Sequence, residues 1–140
     1  MLASATESTH PLSSVPRTRL IREFLVFEAA TFVVAASAHF GIWIQGYGYL
    51  AAGVAETVIA VGLLSGFAAT WIRPAFVRGI GLAAQGFALL GTLVGAATIV
   101  IGVGPRTIPD VAYHIAILAV LAWGLVVANR ARANPARSST

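Results

Sequence analysis

The sequence predicts an all-α fold, a four-helix transmembrane bundle with short joints and both termini on the cytoplasmic side. Three observations predict it. Of the 140 residues, 58% are hydrophobic and only 10% charged, with a mean hydropathy of +0.85. A soluble domain carries about a quarter charged residues. Four apolar stretches follow one another, each near the roughly 20 residues that a helix needs to cross about 30 Å of hydrocarbon. The arginines gather on one side of the alternating chain.

Residues 1–16 are rich in Ser, Thr and Pro without hydrophobic period and read as a disordered cytoplasmic tail containing His10. The transmembrane domain covers 17–132, with spans expected at about 24–44, 49–71, 79–102 and 111–128; residues 133–140 read as a second flexible tail. The joints carry glycine or proline. Asp110, after Pro109, is placed to cap the fourth helix by accepting backbone N–H bonds. Arg17, Arg19, Arg22, Arg73, Arg78, Arg130, Arg132 and Arg137 fall on one side, the cytoplasmic one by the positive-inside rule, and Arg106 on the other. Trp43, Tyr47, Tyr49 and Tyr113 then fall at the outer interface and Trp71 at the inner one. A competing reading takes the first span as a signal sequence cut after Ala38, behind the small triplet Ala36, Ser37, Ala38; Glu28 speaks against it by interrupting the apolar run.

The composition also excludes. With no cysteine, disulfides, thiolate metal sites and thiol redox chemistry are ruled out. No Walker loop, dinucleotide fingerprint or nucleophile elbow is present. The nine basic residues are all arginines and track membrane sidedness, which makes nucleic acid a poor partner. Lipid is the expected environment. The glycine pairs Gly62/Gly66 and Gly91/Gly95 serve either tight packing within the bundle or association with a second copy or a membrane-complex partner.

Ionisable residues inside a span cost about 2.5–3.5 kcal/mol on insertion scales, so they normally face the bundle interior and hold a partner. From the expected spans His39 lies about 8 Å below the outer boundary, Glu56 about 10 Å and His114 about 5 Å. One outer layer thus holds all three. Span three passes it with Gly95, Ala96, Ala97 and Thr98, which leave room and supply a hydroxyl. Arg106 stands near the mouth, either paired with Asp110 or placed to receive an anion or carbonyl. A second polar layer, nearer the cytoplasm, comprises Glu28, Ser65 and Gln85. Glu28 and His39 are 11 positions apart, which leaves only about 20° between them on a helix, so both share one inward face. Three readings are open. The outer cluster of His39, Glu56, His114 and Thr98 binds a small lipophilic ligand such as a quinone; His39, Glu56 and His114 hold a divalent metal or form a proton relay, or the two histidines hold a haem; or a His39–Glu56 pair only sets the register of the helices.

The stretch YGYLAAGVAETVIAVGLLSGFAATWIRP resembles the second helix of DoxX-like membrane proteins, through Glu56, Gly62 and Gly66, and SAHFG, with His39 and Gly41, is similar to the family's first-helix ending. The resemblance covers the first two spans. It implies a four-helix protein of the bacterial cytoplasmic membrane, in a family with members in quinone-linked thiosulfate oxidation and redox-stress complexes. Glu28 and His114 depart from the family pattern and the last two spans match no motif of it, so thiosulfate chemistry is not carried over.

Overall fold

The computed structural model describes residues 17–43 and 46–131, and both terminal tails lie outside them. Four helices form an all-α bundle: α1 (Arg17–His39), α2 (Leu50–Ile72), α3 (Val77–Ile101) and α4 (Ile108–Arg130), with a short 3-10 turn at Pro74–Phe76 before α3. Successive helices run antiparallel, as the joints are too short for anything else. Packing is closest between α1 and α2 and much sparser between α1 and either α3 or α4.

The distribution of residue types is inverted relative to a soluble protein. Val33, Val34, Val58, Leu90, Val94, Ile115 and Trp123 face outward, while Glu28, His39, Glu56, Thr70, Gln85, Thr92 and Asp110 are buried. The interior core is made by Ile21, Leu25 and Phe32 of α1, Ile59 and Leu63 of α2, Ala84 and Ala88 of α3, and Ile117 and Leu121 of α4. An apolar exterior, with the polar side chains enclosed among the core residues, is what a hydrocarbon solvent demands. Among the described residues, three helical stretches are long and apolar enough to cross a membrane: Leu50–Ile72, Pro74–Ile101 and Ile108–Arg130.

The expected first span is corrected. Helix α1 begins seven residues earlier than Phe24 and ends at His39, because Gly41 turns the chain with φ of 75° and the Tyr49 N–H bonds the His39 carbonyl at 2.8 Å. Its stretch from Phe24 to Ala38, interrupted by Glu28, spans only about 22 Å, short of the roughly 30 Å hydrocarbon thickness. The triplet Ala36, Ser37, Ala38 forms part of the last turn of α1, and cleavage behind it would remove the whole helix from the core.

The glycine pairs pack helices within the chain. A Cβ at Gly62 would meet the Phe87 ring at 2.6 Å, one at Gly66 the Ala84 methyl at 2.6 Å, and one at Gly91 the Ile59 side chain at 2.8 Å. Gly62, Gly66 and Gly91 thus sit in the α2–α3 contact, while Gly95 faces His114 of α4. Arg17, Arg19, Arg22, Arg73, Arg78 and Arg130 share one end of the bundle. Arg22 is built into that end, donating to the Thr70 hydroxyl (3.1 Å) and carbonyl (2.8 Å) with its guanidinium 4.0 Å from the Trp71 ring centre. Arg78 bonds Asn129 across α3 and α4 at 3.0 Å.

Helix α4 starts three residues before the expected Val111. Thr107 is its N-cap and Asp110 the third helical residue, in a reciprocal capping box with Pro109 in the first turn. Asp110 does accept a backbone N–H, that of Thr107, at 3.2 Å. Replacing Thr107 with alanine is expected to lower stability by about 1 kcal/mol, read as an earlier midpoint when the protein in mixed micelles is titrated with a denaturing detergent. An unchanged midpoint would show that the box does not hold this helix end.

Candidate functional site

His39 occupies the last position of α1, where the helix end brings its ring between α2 and α4. Its Nδ1 lies 2.7 Å from Glu56 Oε2 and its Nε2 3.1 Å from Asp110 Oδ1. All three side chains are at least nine-tenths buried. Both ring nitrogens face carboxylate oxygens, so each contact requires one proton between nitrogen and oxygen. Two protons are therefore distributed over Glu56, His39 and Asp110. The Asp110 carboxylate also accepts from the Tyr47 hydroxyl, and from the Thr107 hydroxyl at 2.5 Å. The Tyr47 ring stacks on the imidazole with 5.7 Å between centroids and 17° between planes. In the α1–α2 joint, burial first and the neighbouring Asp110 carboxylate second hold the Tyr47 phenol above its ordinary pKa. It stays a neutral donor.

Beside this chain lies a cavity of about 210 Å³ between α2, α3 and α4. Its walls are apolar apart from a few groups, chief among them Glu56, Thr98, Tyr113 and His114. His114 Nδ1 donates to the Asp110 carbonyl at 2.8 Å, one turn back along its own helix, which leaves Nε2 as a lone-pair acceptor. Nε2 is turned toward Gly95, where a Cβ would come within 3.1 Å; glycine makes the room that the sequence predicted. The Thr98 hydroxyl bonds back to the Gly95 carbonyl at 2.7 Å and retains lone pairs. The buried Tyr113 hydroxyl has the Thr31 side chain of α1 beside it but makes no well-aligned hydrogen bond among the described residues. A groove of about 510 Å³ in the α1–α4 seam touches the opposite side of the cluster, through His39, Tyr47, Asp110 and again Tyr113.

The structure brings His39 and Glu56 into direct contact, as the depth argument expected, and sets His114 with Glu56 and Thr98 around the cavity rather than on His39. Arg106 is corrected: the turn at Gly102, with φ of 87°, returns its guanidinium over the end of α3, where it donates to the Ile99 and Val100 carbonyls, each at 2.8 Å. It neither pairs with Asp110, whose oxygens are taken by His39, Tyr47 and Thr107, nor lines the cavity. In the second layer Gln85 Nε2 donates to Glu28 Oε1 at 3.1 Å, both side chains fully buried, while Ser65 faces outward and takes no part.

The metal reading fits the residues poorly. Among the described residues no group of three His, Cys, Asp or Glu is arranged to hold an ion, and both His39 nitrogens are engaged with carboxylates, so none offers a lone pair to zinc or haem iron. Three functional groups escaped the sequence reading. The sequence points to Asp110 only as a cap and a partner for Arg106, and to Tyr47 and Tyr113 only as interfacial residues. The inward stripe Asp110, Tyr113, His114, Ile117, Leu121, at helical spacing, is the signal that places Tyr113 inside.

Comparisons of the chain with known protein families, with curated proteins and with solved structures find no match.

Proposed function

We propose that this chain is a multi-pass protein of the bacterial cytoplasmic membrane that binds a small lipophilic molecule, of quinone type, in the cavity between α2, α3 and α4, as a redox-associated subunit of DoxX-like kind. In this reading α1 crosses the bilayer with its three neighbours, shielded by α2, and the arginine-bearing end with both termini faces the cytoplasm. The observation that carries the ligand reading is the apolar cavity into which Glu56, Thr98 and His114 bring the few polar groups, with His114 Nε2 turned toward Gly95. The cavity is smaller than the roughly 300–1,000 Å³ of sites that enclose a whole drug-sized ligand. It suits one ring, with any tail lying among lipid chains. The DoxX-like reading rests on the resemblance carried by Glu56, Gly62 and Gly66 of α2 and by His39 and Gly41.

Glu56→Gln tests this. The amide keeps a carbonyl that can accept from His39, so folding is retained, while the acidic group facing the ligand is lost. Binding of a short-chain naphthoquinone to the purified protein, followed by equilibrium dialysis, is expected to weaken about tenfold, the equivalent of about 1.4 kcal/mol. Should stability fall by the same factor as binding, the pair is a register device and the ligand reading fails.

A further inference from the structure

We propose that Glu56, His39 and Asp110 form a proton relay that connects the cavity to the outer rim of the bundle at Thr107 and Tyr47. The inference rests on the ligand reading above and deepens it: the ligand is one that gives up or takes a proton, such as a phenol, a hydroquinone or a hydroxyquinone.

A pair that only sets register needs two groups. Here three titratable side chains from three helices make an unbroken series, with contacts of 2.7 and 3.1 Å. The series has two distinct ends. Glu56 lines the cavity, and the Asp110 carboxylate is bonded to the exposed Thr107 hydroxyl. Between them the imidazole can take a proton at one nitrogen while releasing one from the other, which an amide in that place could not do. The groups facing the ring are Glu56 from α2, Asp110 from α4 and Tyr47 from the joint. His114 and Tyr113 stand on the cavity side, and Arg106 is turned away to the α3 carbonyls. Tyr47 acts as a positioning residue, its stacked ring and its bond to Asp110 fixing the imidazole plane.

The transfer balances without electrons. The proton shared between Glu56 and Nδ1 moves onto the ring as the Nε2 proton crosses to Asp110, and the buried Asp110 passes one through the exposed Thr107 hydroxyl to water at the rim, leaving Nε2 against a bare carboxylate until the tautomer is restored. The ligand hydroxyl then replenishes Glu56 and is left as an anion. When the anion takes its proton back, the same steps run in reverse and restore the tautomer of His39.

An alkylated 2-hydroxy-1,4-naphthoquinone, whose colour reports its ionisation, tests the relay in full-length protein reconstituted in liposomes. With the probe bound, the pH is jumped across its ionisation and the rate of colour change is followed. His39→Gln, which keeps an amide donor and acceptor in place but cannot carry a proton, is expected to slow that rate about 100-fold without altering the probe's affinity. Asp110→Asn should do the same from the rim side. If both variants bind the probe and change colour as fast as the unaltered protein, the relay is overturned and the cavity reading stands. If the unaltered protein does not bind the probe, the cavity reading falls first and the relay with it. Circular dichroism and size exclusion confirm folding, and Tyr47→Phe, which keeps the stacked ring and removes only its hydroxyl, is expected to slow the change less than either.

Discussion

His39→Leu is expected to destabilise the bundle by about 3–5 kcal/mol, the cost of breaking a buried ion pair by deleting one partner. Losing a hydrogen bond between membrane helices costs less, about 0.6 kcal/mol on average and at most about 1.7, so the larger figure must come from what is left behind. The two carboxylates fare differently. Asp110 keeps the Thr107 N–H, the Thr107 hydroxyl and the Tyr47 hydroxyl. Glu56 makes its side-chain hydrogen bond to His39 and to no other described residue, and is buried. The penalty therefore falls on Glu56. Adding Glu56→Leu to His39→Leu should recover most of the loss, although each change alone is harmful. Detergent-denaturation midpoints of the two single variants and the double one give the coupling. Strict additivity, or a His39→Leu penalty under about 1 kcal/mol, would mean that the buried triad is not coupled.

The helices were legible because hydrocarbon imposes long uninterrupted apolar runs, and the inward face shared by Glu28 and His39 followed from helical spacing alone; both are buried. Helix ends were harder to place. The apolar residues Phe40, Ile42 and Trp43 extend the run past His39 because a loop at the membrane boundary tolerates them, and hydropathy does not register a turn at Gly41. At the other end of α1, Arg17 to Glu23 are good helix formers that a hydropathy window discards. Depth along each span paired His39 with Glu56 correctly. Rotation about α4 is not encoded in depth, however. Asp110 and His114 share a face of α4, yet the tie from His114 Nδ1 to the Asp110 carbonyl swings its ring toward Gly95 of α3, while the Asp110 carboxylate takes the place beside His39. A capping motif and an ion-pair partner were the same residue, and the local pattern TIPD announced only the first.

Gly124→Ala is expected to cost about 2–4 kcal/mol, although alanine is the better helix former by about 1 kcal/mol. The added methyl would overlap Gln85 Nε2 and lie 2.6 Å from Glu28 Oε1, the two ends of the hydrogen bond that joins α1 to α3 beneath α4. Long side chains usually swing aside from such an intrusion. These two have nowhere to go, since both are fully buried and each already has one oxygen, Glu28 Oε2 and Gln85 Oε1, with no partner among the described residues. Parting them would strand further polar atoms in a dry interior at about 1–3 kcal/mol each, which outweighs the gain in helix propensity. Gly86→Ala on α3 provides the contrast, because a Cβ there meets nothing within 4 Å. It should leave the denaturation midpoint unchanged or raise it. In a Glu28→Ala, Gln85→Ala background the Gly124→Ala penalty should disappear, because the atoms it collides with are gone. If the penalty persists there, the tight fit of α4 against the backbones of α1 and α3, rather than the buried polar pair, is what requires glycine at this position.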